Sequence, residues 1–446
     1  MGWGADSRAT DTSTPRMTDY KAAGETHRRT PPMNRRVADR QTPRDLSAIG
    51  HGGKYRVCVI VGTRPEAIKM APVILELAQH RHVIDTMVVT TAQHREMLSQ
   101  ALDAFGIKPH VDLGLMSTKQ ALADFTARAM LALSSCFAET RPDLVLVQGD
   151  TTTVLCAALA AHYLGIPVGH IEAGLRSGNL RNPFPEELNR RLASVVADLH
   201  FAPTETARQN LLREGVPDER IVVTGNTIVD ALRRMPRKAL FDEPRLNALP
   251  WGKRRFVLCT VHRRENLGEP LANICRAVGE LASMHTDTHF VFPVHLNPHV
   301  RDVVFDELGG MPRVELLDPL GYADLLELLR RSEFAMTDSG GIQEECPSLG
   351  KPVLILRKNT ERPEVVAAGF GRVVGTETLA IVDAATLLLD DVREIEKMTA
   401  GENPFGDGMA AQRIVQTLMR RAPRHAGGLP VPEGPALLPT RRAVEP

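Results

Sequence analysis

Residues 338–364, DSGGIQEECPSLGKPVLILRKNTERPE, decide how the chain folds. The apolar run Phe334-Ala335-Met336 before them reads as a buried strand, and Ser339, Gly340 and Gly341 then turn the chain. The pattern predicts a helix from Ile342 to Leu349, a stop at Gly350-Lys351-Pro352, and a second short strand from Pro352 to Leu356. A strand, a glycine turn and a helix start bring unpaired backbone N–H groups and the positive end of a helix dipole to one point, which suits a phosphate. Arg362, a short loop beyond the next strand, is placed to fork onto the same anion. Glu344 and Glu345 either complement the dipole or accept hydrogen bonds from sugar hydroxyls. Taken alone, the segment is equally a serine-capped helix after a tight turn.

The same strand–glycine–helix sentence recurs on both sides of this stretch. Order begins at Tyr55. Arg56–Val61 reads as a strand, Gly62-Thr63-Arg64 as a turn, and Pro65 suits the start of a helix from Glu66 to Ala78. Further strands are expected at Asp85–Thr90, Asp143–Val147, Val168–Ile171, Leu199–Ala202 and Ile221–Thr224, with helices at Thr151–Tyr163 and Glu205–Arg213. Pro236–Lys253 breaks the rhythm. A second set follows at Phe256–Val261, His289–Val294, Val314–Leu316, Phe334–Met336 and Val353–Leu356, and a last helix at Met409–Arg421. Such alternation marks parallel sheets covered by helices, an α/β chain of two doubly wound domains facing a cleft, with ligands at the carboxyl ends of the strands. The expected divisions are a tail at 1–53, a first domain at 54–235, a second at 236–408 and a flexible tail at 422–446. The first tail is polar and rich in Arg, Thr and Pro without hydrophobic period, and reads as disordered.

The 446 residues carry 54 Lys+Arg against 54 Asp+Glu, and 43% of them are hydrophobic, enough for real cores but with no positive field for general nucleic-acid binding. The six cysteines are scattered without a CxxC pair, mostly inside apolar runs, as expected in a reducing compartment. No apolar run approaches a membrane span, so the expectation is a soluble, cytoplasmic protein.

Polar residues just after the strands are the candidates for chemistry. Arg64 and, a helical turn later, Lys69 follow the first strand; Gln148-Gly149-Asp150-Thr151 and His170-Ile171-Glu172 each present a carboxylate. Asn182-Pro183-Phe184-Pro185-Glu186-Glu187 adds acids at a proline-framed helix start, and His262-Arg263-Arg264 brings an imidazole and two guanidiniums from the second domain. Each has a plainer reading: Asp150 as a helix cap, Glu186 and Glu187 as dipole partners, His262 as a structural histidine, Arg263 or Arg264 as a surface charge. Together, carboxylates from one domain and cations with an anion-binding turn from the other suit a phosphorylated, hydroxyl-rich ligand such as a nucleotide-sugar. There is no GxGxxG after a strand, no Walker A loop, no Asp-x-Asp pair and no zinc spacing, and His295 and His299, four apart, are no metal pair by themselves. Chemistry without nicotinamide or metal is expected, and no cofactor.

GTRPEAIKMAP (62–72), TAQHREML (91–98), GDTTT (149–153), GHIEAGLRSG (169–178), PEELNRRL, PTETARQNLL, TGNTIVDAL, VHRREN, PVHLNP, TDSGGIQEE and TERPE resemble the non-hydrolysing UDP-N-acetylglucosamine 2-epimerases, in the same order from Tyr55 to Arg421. The resemblance implies a glycosyltransferase-B-like pair of Rossmann-like domains, with the helix at 409–421 crossing back to the first. It implies reversible conversion of UDP-N-acetylglucosamine to UDP-N-acetylmannosamine, by anti elimination of UDP to a bound 2-acetamidoglucal and re-addition. On that resemblance Asp150, Glu172, Glu186 and His262 match catalytic positions, and Arg64, Lys69, Ser339, Gly340, Glu345 and Arg362 match positions that hold UDP. It also implies a homodimer and, in some members, an activating second UDP-N-acetylglucosamine near Gln93 and His94. Leu320 and Leu325 depart from the glutamine and aromatic that some relatives carry, so packing on the uracil is expected to differ. A hydrolysing relative that releases free N-acetylmannosamine, a glycosyltransferase, and a non-catalytic nucleotide-sugar sensor are the rival readings.

Overall fold

The computed structural model describes residues 53–91, 95–115 and 121–421. Residues 1–52 and 422–446, which hold the two expected tails, and the candidate activator residues Gln93 and His94 lie outside the described residues. Seven strands form the first sheet: β1 (Tyr55–Val61), β2 (Ile84–Thr90), β3 (Val111–Asp112), β4 (Leu144–Gln148), β5 (Val168–Ile171), β6 (Leu199–Ala202) and β7 (Ile221–Val223). Their spatial order is β3-β2-β1-β4-β5-β6-β7, parallel throughout. The second sheet holds β8 (Arg255–Thr260), β9 (Thr288–Pro293), β10 (Val314–Leu317), β11 (Phe334–Thr337), β12 (Val353–Ile355) and β13 (Gly371–Val373) in the order β10-β9-β8-β11-β12-β13, again all parallel.

Both orders reverse direction once, between β1 and β4 and between β8 and β11. Loops that leave those strands diverge to opposite faces and open a crevice at the carboxyl edge. Gly62-Thr63-Arg64 follows β1, Gly149-Asp150 follows β4, His262 follows β8, and Asp338-Ser339 follows β11. The topology alone therefore brings four of the polar loops picked out by residue type to the two crevices.

Strands such as Val57–Val61 and Leu144–Val147 are apolar at every position and fully buried, as expected of a parallel sheet covered on both faces. One apolar core runs from the first sheet through the helices Arg64–Gln79 and Thr227–Arg234 to Ile342, Cys346, Leu328 and the second sheet. The two lobes thus share apolar packing beneath the crevice. The last helix, Ala410–Arg421, returns to the first lobe: Ala411, Ile414, Val415 and Leu418 are buried in that same core. Its first turn is capped by Asp230, whose carboxylate accepts from the N–H groups of Ala410 (3.2 Å) and Ala411 (2.9 Å). Among the described residues no helix is long and apolar enough to cross a membrane.

Behind the β4–β5–β6 edge lie two wholly buried imidazoles. His170 and His200 are register partners on adjacent strands, and His170 Nε2 bonds the Gly149 carbonyl at 2.7 Å. Burial pushes both rings down to about 4, and the neighbouring His170 adds to the effect on His200. A ring that stays neutral when folded but protonates near 6.5 when unfolded contributes stability that is complete above that value and is lost as pH falls from about 6.5 towards 4. The expected loss is about 3 kcal/mol per ring by pH 4. Denaturant midpoints followed against pH should show it, and His200→Gln should flatten the fall. A variant as acid-labile as the parent would contradict this account.

Candidate active site

The crevice encloses a cavity of about 380 Å³, lined by Thr63, Arg64 and Lys69 from the first lobe and by His262, Ser339, Gly341 and Glu345 from the second. One wall is apolar: Pro293, Pro319, Leu320, Tyr322, Leu325 and Ile342. That wall could take a flat, weakly polar ring, and the substituted positions Leu320 and Leu325 are both part of it.

The helix that follows β11 spans Gly340–Ser348, two residues earlier than the sequence pattern suggested. Ser339 occupies the cap position, yet its side chain makes no cap hydrogen bond, so the plain serine-capped reading does not hold. Ser339, Gly341 and Ile342 at this helix start line the crevice, where its first-turn N–H groups have no intrahelical partner. Gly340 lets two guanidiniums approach closely: a Cβ there would lie 3.2 Å from Arg362 Cζ and 3.4 Å from Arg263 Nη2. A helix start with two guanidiniums over it is an anion cradle. Arg263, weighed from sequence as a strand-end guanidinium or a surface charge, lies over that helix start.

Asp338, wholly buried, organises the facing loop. It accepts from the backbone N–H of His262 (3.1 Å) and Arg263 (2.9 Å), from Asn266 Nδ2 (2.9 Å), and pairs with His262 Nδ1 (3.0 Å). Burial opposes its charge, but the His262 side chain and these N–H groups hold the carboxyl below its usual range. With Nδ1 tied to Asp338, the Nε2 of His262 is the atom left for a ligand.

Glu345 accepts from Tyr322 Oη at 3.1 Å, and Arg64 Cζ lies 5.8 Å from the centre of the Tyr322 ring. Burial, with the like charge of Glu344, pushes Glu345 up to about 7 against the pull of Tyr322, Arg64 and Lys69. Glu344 does neither of the jobs considered for it. It turns inward to Lys69 Nζ (2.7 Å) and Arg362 Nη2 (2.7 Å). Lys69 in turn holds Glu172 at 2.5 Å, and Gln148 Nε2 donates to the same Glu172 oxygen at 2.8 Å. Burial works against the Lys69 charge, but Glu172 and Glu344 keep its pKa above that of ordinary lysine. Glu172 itself is raised, first by burial and then by Glu344, with Lys69 and Arg362 opposing. Its backbone has φ 65°, a left-handed conformation that a non-glycine residue adopts only under local constraint, as at a tuned site.

The other candidates stand slightly apart. Asp150 is ion-paired with Arg190, while Asn189 Nδ2 donates to its carbonyl at 3.0 Å. The cap it was a candidate for is made by Thr151, whose hydroxyl accepts from Val154 N at 3.4 Å. Glu186 opens the helix Glu186–Val196, its carboxyl raised by burial and by Asp150, with Arg190 and Arg263 opposing. Glu187 turns out to be scaffolding: fully buried, it accepts from Ser177 N (3.0 Å) and faces Arg190 (3.4 Å). His295 lines the cavity with its ring 6.2 Å from that of His262, whereas His299 is not part of the lining.

Sequence reasoning missed Glu66, Tyr322 and the Glu361 cluster. Glu66 accepts from Gly62 N (2.6 Å), Thr63 N (3.2 Å) and the Thr151 hydroxyl (2.6 Å), so it ties the β1 and β4 loops together. Glu361 links Arg263 (2.9 Å) to Arg362 (3.3 Å). A Glu three places after Thr63 was the available signal for Glu66; none existed for Glu361. Gly62 is also a point of close approach, since a Cβ there would meet Thr153 Oγ1 at 2.4 Å. Gly62→Ala is expected to lower stability by about 1–3 kcal/mol, partly restored by Thr153→Ala, in denaturant unfolding. Equal midpoints for parent and variant would refute that.

A family model described as UDP-N-acetylglucosamine 2-epimerase matches residues 76–419. The UDP-N-acetylglucosamine 2-epimerase of Bacillus subtilis is 50% identical over 366 residues, 82% of this chain and 95% of that protein. The chain belongs to the UDP-N-acetylglucosamine 2-epimerase family. A crystal structure of the UDP-GlcNAc 2-epimerase from Neisseria meningitidis, bound to UDP-GlcNAc, is 48% identical and superposes with TM-score 0.78, covering 82% of this chain and all of that one (100%). The glycosyltransferase-B-like character of the fold extends beyond the epimerase family: a glycosyltransferase of kitacinnamycin, at 14% identity and TM-score 0.57, over 83% of this chain and 100% of its own, shares the architecture alone.

Proposed function

We propose that this protein interconverts UDP-N-acetylglucosamine and UDP-N-acetylmannosamine. The observation that carries the reading is the opposition across one crevice of the Gly340 helix start, with Arg362 and Arg263 over it, and the Glu172 carboxylate on Lys69. The names of the relatives and the UDP-GlcNAc in the Neisseria neighbour support the choice of ligand. In this reading the diphosphate rests on the Ser339–Gly340 turn, the uridine lies along the Pro319–Leu325 wall, and Glu345 accepts from the ribose.

The reaction follows from where charge moves. An acid of the first lobe takes the C2 proton; the C2–H electrons form the C1–C2 double bond as the C1–O bond breaks, and UDP leaves with its electron pair. The diphosphate gains charge in that step, and Arg362, Arg263, His262 and the helix N–H groups are the donors aimed at it. Return of UDP oxygen to C1, with a proton delivered to the opposite face of C2, gives the epimer. Asp150, Glu172 and Glu186 are the acids proposed for these proton transfers, and burial that keeps Glu172 and Glu186 above the usual carboxyl range suits groups that must both give and take a proton near neutrality. Retaining UDP keeps the glucal from escaping.

The test is incubation of the purified protein with UDP-N-acetylglucosamine in deuterated water. UDP-N-acetylmannosamine with deuterium at C2 is the expected product. Free N-acetylmannosamine plus UDP would replace this reading by a hydrolytic one, and epimerisation without exchange would remove the elimination step.

A further inference from the structure

The ion triad that joins the lobes at the crevice has one ammonium between two carboxylates from opposite lobes. Lys69, in the helix Arg64–Gln79, reaches Glu172 beyond β5 at 2.5 Å and Glu344 of the Gly340 helix at 2.7 Å. Glu344 is only 1% exposed and its second oxygen is taken by Arg362 at 2.7 Å. We propose that Glu344 is a positioning residue of the reaction, which competes from the second lobe for the Lys69 ammonium and so sets how firmly that ammonium grips Glu172. This rests on the reading of Glu172 as a proton-carrying acid.

The groups that face Glu172 are few. Lys69 and the Gln148 amide touch it; Glu344 and Arg362 act on it from the second lobe through space. A carboxylate held by an undivided ammonium at this distance in a dry site is a poor base, because proton uptake would strand the cation. Glu344 supplies a second counter-charge, so that Lys69 stays neutralised whether Glu172 is ionised or protonated. Glu344 is carried by the second lobe, so that relief comes from the lobe opposite Glu172. The proton affinity of Glu172 is thereby tied to a side chain of the other lobe, through two contacts under 3 Å. The same carboxylate fixes the Arg362 fork over Gly340, so the diphosphate cradle and the proton-transfer acid share one member.

The experiment is the pH–rate profile of epimerisation for Glu344→Gln, Glu344→Asp and Lys69→Gln, with UDP affinity measured alongside. Loss of the Glu344 charge should move the limb that reports Glu172 to lower pH by about one unit, a tenfold change in rate at a pH on that limb. Loss of the Lys69 charge should move the same limb the other way, and Glu344→Asp should restore most of the parent profile. Opposite displacements are not what a merely structural pair gives: profiles that fall in height with both limbs fixed would overturn the inference. If Glu344→Gln does not fold, Glu344→Met is read in its place: the same limb displaced to lower pH supports the inference, and a limb at the parent position overturns it. Absence of epimerisation in the unsubstituted protein would instead remove the functional reading on which this one stands.

Discussion

Glu172→Gln is expected to slow C2 hydrogen exchange about a thousandfold while leaving UDP affinity nearly unchanged. The amide keeps the shape of the side chain and can still meet Lys69 and Gln148, both within 2.8 Å of the present carboxylate. What it loses is the ability to hold a proton, and positioned acid–base groups contribute about 10²–10⁴-fold. The Glu172 carboxylate is bonded to Lys69 and Gln148 and not to Ser339, Gly340 or either guanidinium of the proposed diphosphate cradle, so binding and chemistry should separate. Exchange measured by proton NMR and UDP affinity by calorimetry give the two numbers. Retention of more than about a tenth of the parent exchange rate would shift the proton-transfer role to Asp150 or Glu186.

The second large effect is expected at Arg362. Its guanidinium is paired with Glu344 and Glu361 and stands over the Gly340 helix start. Arg362→Met leaves two buried carboxylates without this partner, a change that costs about 3–5 kcal/mol in comparable settings. It also withdraws a forked donor from the position proposed for the diphosphate. The expected drop in kcat/KM is between about a hundredfold and several thousandfold, with weaker UDP binding and a lower Tm. Arg362→Lys should recover stability more than activity, since a point charge replaces the fork. UDP affinity within about threefold of the parent for the methionine variant would place the diphosphate elsewhere.

Much of the frame was legible because the strands are short, apolar and punctuated. Val168–Ile171, Leu199–Ala202 and Glu205–Arg213 run between the same residues in sequence and structure, because Pro167 or Gly165, Pro203 and Thr204 mark the joints. The edge strands escaped notice for a physical reason: β3 has two residues and β13 has three, one of them glycine, so neither makes an apolar run. Strand-end position found Arg64, Lys69, Glu172, His262 and Arg362, since a parallel sheet sends every such loop to one edge. It could not show that Glu344 would meet Lys69, because that contact links residues of different lobes, and helix periodicity gives only the side of the helix. Glu361 was invisible for the same reason, being defined by the three arginines gathered round it.

The helix Ala410–Arg421 has a bearing on how the protein is made. Its apolar face completes a core whose first-lobe members, up to Met235, were synthesised more than 170 residues earlier, with Asp230 waiting for the amides of Ala410 and Ala411. A nascent chain therefore cannot finish its first lobe on the ribosome until the second lobe has been translated, and that lobe emerges while the earlier one still shows an uncovered groove. A stop codon or protease cut near residue 405 would damage the half of the molecule farthest from it in sequence.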